Sequence, residues 1–76
     1  MNIDELIQMV GCGMEYNFYV DEKEYWISHN KEGYYLTRVE DSFSQDFDTA
    51  EELFEKGRIN GLSIIELWDE IKEYFQ

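Results

Sequence analysis

The chain has 76 residues, with eighteen Asp and Glu against six Lys and Arg and a formal net charge of −12. At this size folding hides about 60% of the unfolded surface and leaves roughly 4900 Å² exposed, which allows one small core in a single domain and no second one. The hydrophobic content of 43% and aromatic content of 17% exclude a disordered acidic tail, while the charge opposes direct binding to nucleic acid or to an anionic membrane and favours a basic partner. Cys12 is the single cysteine, so no intramolecular disulfide forms and a reducing, cytoplasmic setting is expected. The opening MNIDELIQMV lacks the basic segment and apolar run of an export signal, and no stretch approaches the roughly 18 apolar residues of a membrane span.

Ile3, Leu6, Ile7 and Val10 recur at helical spacing, and Asn2 with Glu5 has the spacing of a capping box, so a first helix is predicted over residues 3–10. Gly11 and Gly13 mark its exit. From Met14 the period changes to two, with Met14, Tyr16, Phe18 and Val20 on one face and Glu15, Asn17 and Tyr19 on the other. After a polar break at residues 21–23, Tyr25, Ile27 and His29 alternate with Glu24, Trp26 and Ser28, which predicts an antiparallel second strand. Residues 30–33 have hairpin-loop chemistry, with Gly33 expected at a left-handed position. A third strand is expected over residues 34–39, and residues 42–47 form either a short fourth strand or an ordered loop.

Two further helices follow. Either Asp48 with Glu51 or Thr49 with Glu52 caps a two-turn helix carrying Ala50, Leu53 and Phe54 and ended by Gly57. Residues 58–61 have turn chemistry, and Ser63 with Glu66 opens a longer helix whose apolar positions are Ile64, Leu67, Trp68, Ile71 and Phe75. The expected fold is α+β: a three- or four-stranded antiparallel meander with one N-terminal and two C-terminal helices, in the order αβββ(β)αα, with the helices laid against one face.

The carboxylates are unevenly placed. No basic residue falls between Arg38 and Lys56, whereas Glu40, Asp41, Asp46, Asp48, Glu51, Glu52 and Glu55 do. The last helix adds Glu66, Asp69, Glu70 and Glu73 against Lys72 alone. Like-charge pairs at i, i+4 cost about 0.2–0.5 kcal/mol each, so helix stability does not account for them. One account is a solubilising surface. The other is a set of carboxylates that imitates nucleic-acid charge and fills the basic groove of a nucleic-acid-binding protein. Duplex DNA carries about one charge per 100 Å² of surface and this chain about one per 400 Å², so imitation requires the acidic segments to meet on one side.

The aromatic residues form a second set. Tyr16, Phe18, Tyr25 and Ile27 are expected beneath the helices, which places Tyr19, Trp26 and Tyr35 on the opposite face. Left uncovered, they form an interface of the kind anchored by Trp and Tyr, used for docking or for a homodimer. His29 has no second ligand type placed with it, Cys12 has no neighbour that lowers its pKa, and residues 46–51 fail the calcium-loop pattern at Ala50 and Glu51. No catalytic residue, metal ligand or cofactor motif is identified, and the expected function is non-enzymatic binding.

Two resemblances add to this reading. MNIDELI at residues 1–7, EYWIS at residues 24–28 and the αβββαα order resemble the phage-encoded, PAM-mimicking anti-CRISPR proteins. That resemblance implies an inhibitor whose acidic side chains enter the basic groove of a nucleic-acid-handling enzyme, and the acidic contact segments of that family have no counterpart here. FDTAEELFEKGRINGLSIIELWDEI, residues 47–71, resembles small acidic proteins of Firmicutes and their mobile elements.

Overall fold

A computed structural model describes residues 1–75. Helix α1 (Ile3–Gly11) is followed by strands β1 (Tyr16–Val20), β2 (Lys23–Asn30), β3 (Gly33–Arg38) and β4 (Phe43–Phe47). Helices α2 (Ala50–Lys56) and α3 (Ile64–Ile71) come next, and a 3₁₀ turn spans Lys72–Phe75. The strands form one antiparallel sheet in the order β1-β2-β3-β4, so the fold is the expected α+β meander, and residues 43–47 are a true fourth strand.

Each helix start is set by a side-chain cap. Asn2 Oδ1 accepts from the Glu5 amide at 2.9 Å while Glu5 Oε1 accepts from the Asn2 amide at 3.0 Å. Ser63 and Glu66 make the same reciprocal pair at α3. Thr49 rather than Asp48 caps α2: its hydroxyl accepts from the Glu52 amide at 3.1 Å. Such caps contribute about 1 kcal/mol each, which matters for helices of seven to nine residues.

The pleat sorts the sheet residues. Phe18 faces Tyr25, and Ile27 faces Leu36; all four are buried, together with Leu6, Val10, Leu53, Phe54, Ile64, Leu67 and Ile71 from the helices. All three helices therefore lie on one side of the sheet. Phe75 closes the core beside Tyr16, Phe18 and Trp68, at ring-centroid distances of 5.4, 5.5 and 5.6 Å.

Four details depart from the sequence reading. Met14 is 46% exposed and precedes the strand, because its amide is committed to the Met9 carbonyl and that of Gly13 to Val10 in a Schellman exit from α1. Lys23 belongs to β2, leaving a two-residue turn at Asp21 and Glu22. Gly33 belongs to β3 and not to the loop; its φ of 157° is one that L side chains rarely adopt, and a Cβ there would lie 2.5 Å from the Phe47 carbonyl oxygen, so glycine is required. The last helix tightens to 3₁₀ after Ile71.

Asp21 and Glu22 take φ values of 50° and 67°, the pattern of a type I′ hairpin, which favours Asn-Gly. A side chain at Glu22 is thus strained. Glu22→Gly is expected to raise unfolding stability by about 1 kcal/mol in urea denaturation; a loss of stability would contradict this account of the turn.

Candidate functional site: the open sheet face

The side of the sheet away from the helices carries the other parity of each strand. Asn17 and Tyr19 come from β1, Glu24, Trp26 and Ser28 from β2, Tyr35 and Thr37 from β3, and Ser44 and Asp46 from β4. Among the described residues no α-helix or strand lies over it, and the 3₁₀ turn reaches its β1 edge through Tyr74. Trp26 is 38% and Tyr19 46% exposed, and Tyr35 is half-buried. Trp26 stands opposite Asn17 and Thr37, and Tyr35 opposite Ser28 and Asp46. The floor is ordered by cross-strand bonds: the Thr37 and Ser44 hydroxyls lie 2.6 Å apart, and Asn17 donates to Glu24 at 2.8 Å. The strand positions on this face include no Lys or Arg; Lys23 and Arg38 take the opposite parity.

The open face thus brings Tyr19, Trp26 and Tyr35 together as expected, and adds Glu24 and Asp46 to them. Glu24 was legible from the alternation that places Trp26. Tyr74 also joins, its ring centroid 6.0 Å from that of Tyr19; the change to 3₁₀ geometry removes the helical spacing that could have indicated it.

The eleven acidic residues singled out from the sequence do not share one surface. Glu40 and Asp41 lie in the β3–β4 turn and are neutralised there. Lys23 Nζ reaches Glu40 at 2.9 Å, which raises the pKa of that lysine. Arg38 donates to both Asp41 oxygens at 2.9 and 2.7 Å, which together with the Phe43 amide holds the carboxyl down to about 2. Asp46 is on the open face. Asp48 precedes α2; Glu51 and Glu55 are exposed on it, and Glu52 accepts from the Asp48 amide and lies 3.8 Å from Lys56. Glu66 is consumed by the α3 cap, whose Ser63 amide and hydroxyl lower its pKa. Asp69 lies 3.6 Å from Lys72, while Glu70 and Glu73 make no ion pair among the described residues. The acidic segments therefore divide between the helical layer, the sheet end and the open face.

The accessible surface is 4875 Å², so the net charge density is about a quarter of that of duplex DNA. Uniform charge at that density is too dilute to imitate a duplex. Among the described residues there is no metal-ligating cluster and no helix long and apolar enough to cross a membrane, and no pocket was detected. Cys12 and His29 are exposed; His29 Nδ1 lies 3.7 Å from Glu15. Comparison with protein-family models, curated proteins and solved structures found no match.

The Asp41 carboxyl lies lower when folded, about 2 against an ordinary 3.8, and Glu66 shifts in the same direction. Their stabilisation is complete above a pH of about 5, beyond the ordinary values of both carboxyls, and is lost progressively as pH falls toward 2. At constant ionic strength the urea midpoint is expected to fall over that range, and less steeply in Asp41→Asn. A midpoint independent of pH there would contradict these roles.

Proposed function

We propose that this protein is a non-enzymatic, acidic binding protein that engages a basic surface of a nucleic-acid-handling protein and so blocks or regulates it. The observation that carries the reading is the open sheet face, where Trp26, Tyr35 and Tyr19 stand beside Glu24 and Asp46 with no cation on the strand positions around them. An aromatic centre supplies the desolvated contact that anchors an interface, and carboxylates at its margin select a positive partner. The unpaired Glu51, Glu55, Glu70 and Glu73 on the helical layer add long-range attraction that speeds encounter. The resemblance of residues 1–7 and 24–28 to PAM-mimicking anti-CRISPR proteins supports the same class of target. Self-association through this face is disfavoured, because a second copy would bring further carboxylates against Glu24 and Asp46 without a compensating cation.

The test is capture from nuclease-treated bacterial lysate followed by elution in a salt gradient. The expected result is a DNA- or RNA-handling protein released at moderate salt, since exposed charge is screened beyond about 8 Å at physiological ionic strength. Trp26→Ala should lose at least about 2 kcal/mol of binding, the range of an interface anchor, with the fold retained. Release that is independent of salt, undiminished capture by Trp26→Ala, or concentration-dependent self-association in sedimentation would overturn the reading.

A further inference from the structure

We propose that the outer edge of β4 takes an antiparallel strand from the basic partner, paired to the backbone of Ser44 and Asp46 and carrying a cationic side chain beside Asp46. This inference rests on the basic-partner reading above and names how that partner is held. The sheet ends at β4, and the register shows which of its backbone groups are free. Val39, which continues the β2–β3 register, donates to the Glu24 carbonyl at 3.0 Å. Residues that exchange hydrogen bonds across an antiparallel pair alternate along the strand, so the odd-numbered residues of β3 bond to β2, and Tyr34, Leu36 and Arg38 bond to β4. Their partners are Phe47, Gln45 and Phe43. The amides and carbonyls of Ser44 and Asp46 therefore point away from the sheet, and no turn or loop backbone among the described residues bonds to them. At the other edge the 3₁₀ turn sets Tyr74 against Tyr19 and Phe75 against Tyr16, which makes β4 the more accessible of the two.

Edge strands of soluble proteins are commonly guarded by lysine, proline or a bulge. β4 has none of these: it reads FSQDF, and every residue pairs one to one with β3. Its guard is a carboxylate. Asp46 is exposed on the open-face parity and makes no ion pair among the described residues. Asp48 follows it, and no Lys or Arg occurs between Arg38 and Lys56. A second copy paired on β4 would bring its own Asp46 and Asp48 to the same edge, whereas a cation on an incoming strand gains a partner. In an antiparallel addition the residues opposite Ser44 and Asp46 bond to the backbone and project onto the open face, while those opposite Phe43 and Phe47 project toward the helical side. Phe43 is 54% exposed there and Phe47 is only partly buried. The occupant is therefore an extended segment in which cationic residues alternate with uncharged ones, its main chain giving the bonds and its alternate side chains the selection.

A blocked peptide of alternating threonine and lysine tests this on the full chain at about 0.15 M salt, in three forms: unmethylated, N-methylated at the lysine amides, and N-methylated at the threonine amides. The lysine amides are the ones that face β4 in this pairing. Methylation at threonine should change the affinity by less than about threefold, and methylation at lysine should weaken it at least about tenfold, the effect of losing two hydrogen bonds. The bound peptide should slow hydrogen exchange at the Ser44 and Asp46 amides. Asp46→Asn should weaken binding about threefold, and Ser44→Pro, which removes an outward donor where an edge strand accepts proline, should weaken it further. The methylated peptides are read on the parent chain, so the test does not depend on the folding of either variant. No binding of the unmethylated peptide, equal weakening by the two methylations, or unchanged exchange at Ser44 and Asp46 would overturn the edge assignment. Salt-sensitive binding that ignores methylation would overturn it and leave the basic-partner reading standing, whereas failure of the lysate capture would remove that reading separately.

Discussion

The structure depends on the parity of a four-stranded pleat. Phe18, Tyr25, Ile27 and Leu36 occupy one parity and are buried, and that apolar surface can be removed from water only by placing every helix on the same side. The capped helices α1, α2 and α3 do this with Leu6, Val10, Leu53, Phe54, Ile64 and Leu67. No other described helix or strand lies on the opposite side. The open face, with Trp26 and Tyr35 on it, is a direct consequence of one-sided burial in a meander whose connections are hairpins.

The excess of acid is compatible with the fold because part of it is used by the fold. Glu5 and Glu66 complete capping boxes, Glu52 supports the start of α2, and Glu40 and Asp41 pin the β3–β4 turn through Lys23 and Arg38. Carboxylates in a first helical turn also interact favourably with the helix dipole. The remainder, including Glu55, Glu70 and Glu73, makes no ion pair among the described residues and confers self-repulsion rather than stability. This division separates two groups that composition alone merges: the carboxylates of the helical layer, and Glu24 and Asp46, which stand opposite Tyr19 and Tyr35 in the sheet register.

Most of the architecture was legible in local sequence. The period-two runs located the first three strands and assigned Tyr19, Trp26 and Tyr35 to one side, and the capping spacings located the helices. The fourth strand was ambiguous because five residues carry little periodicity; its place is secured by Gln45, which bonds both to the amide and to the carbonyl of Arg58, thirteen residues away in the chain. Ile59 is buried although it sits among turn residues, because the turn folds back through paired bonds with Leu62. The split of the acidic stretch was not legible, since charge runs have no periodicity and the turn at residues 39–42, the edge strand and α2 carry consecutive carboxylates to different surfaces. The exposure of the aromatic face was likewise not legible, because strand alternation assigns residues to a face without saying what lies over it.

We propose that recognition resides on the open sheet face and that the helical layer contributes only attraction at a distance. It is tested most directly with two double variants of equal charge change, Glu24→Gln with Asp46→Asn and Glu70→Gln with Glu73→Gln, titrated against the captured basic protein at physiological salt. The first pair is expected to raise the dissociation constant by at least about tenfold through faster dissociation, while the second changes it by less than about threefold and acts on the association rate. Equal losses from the two pairs, or a larger loss from the helical pair, would contradict it.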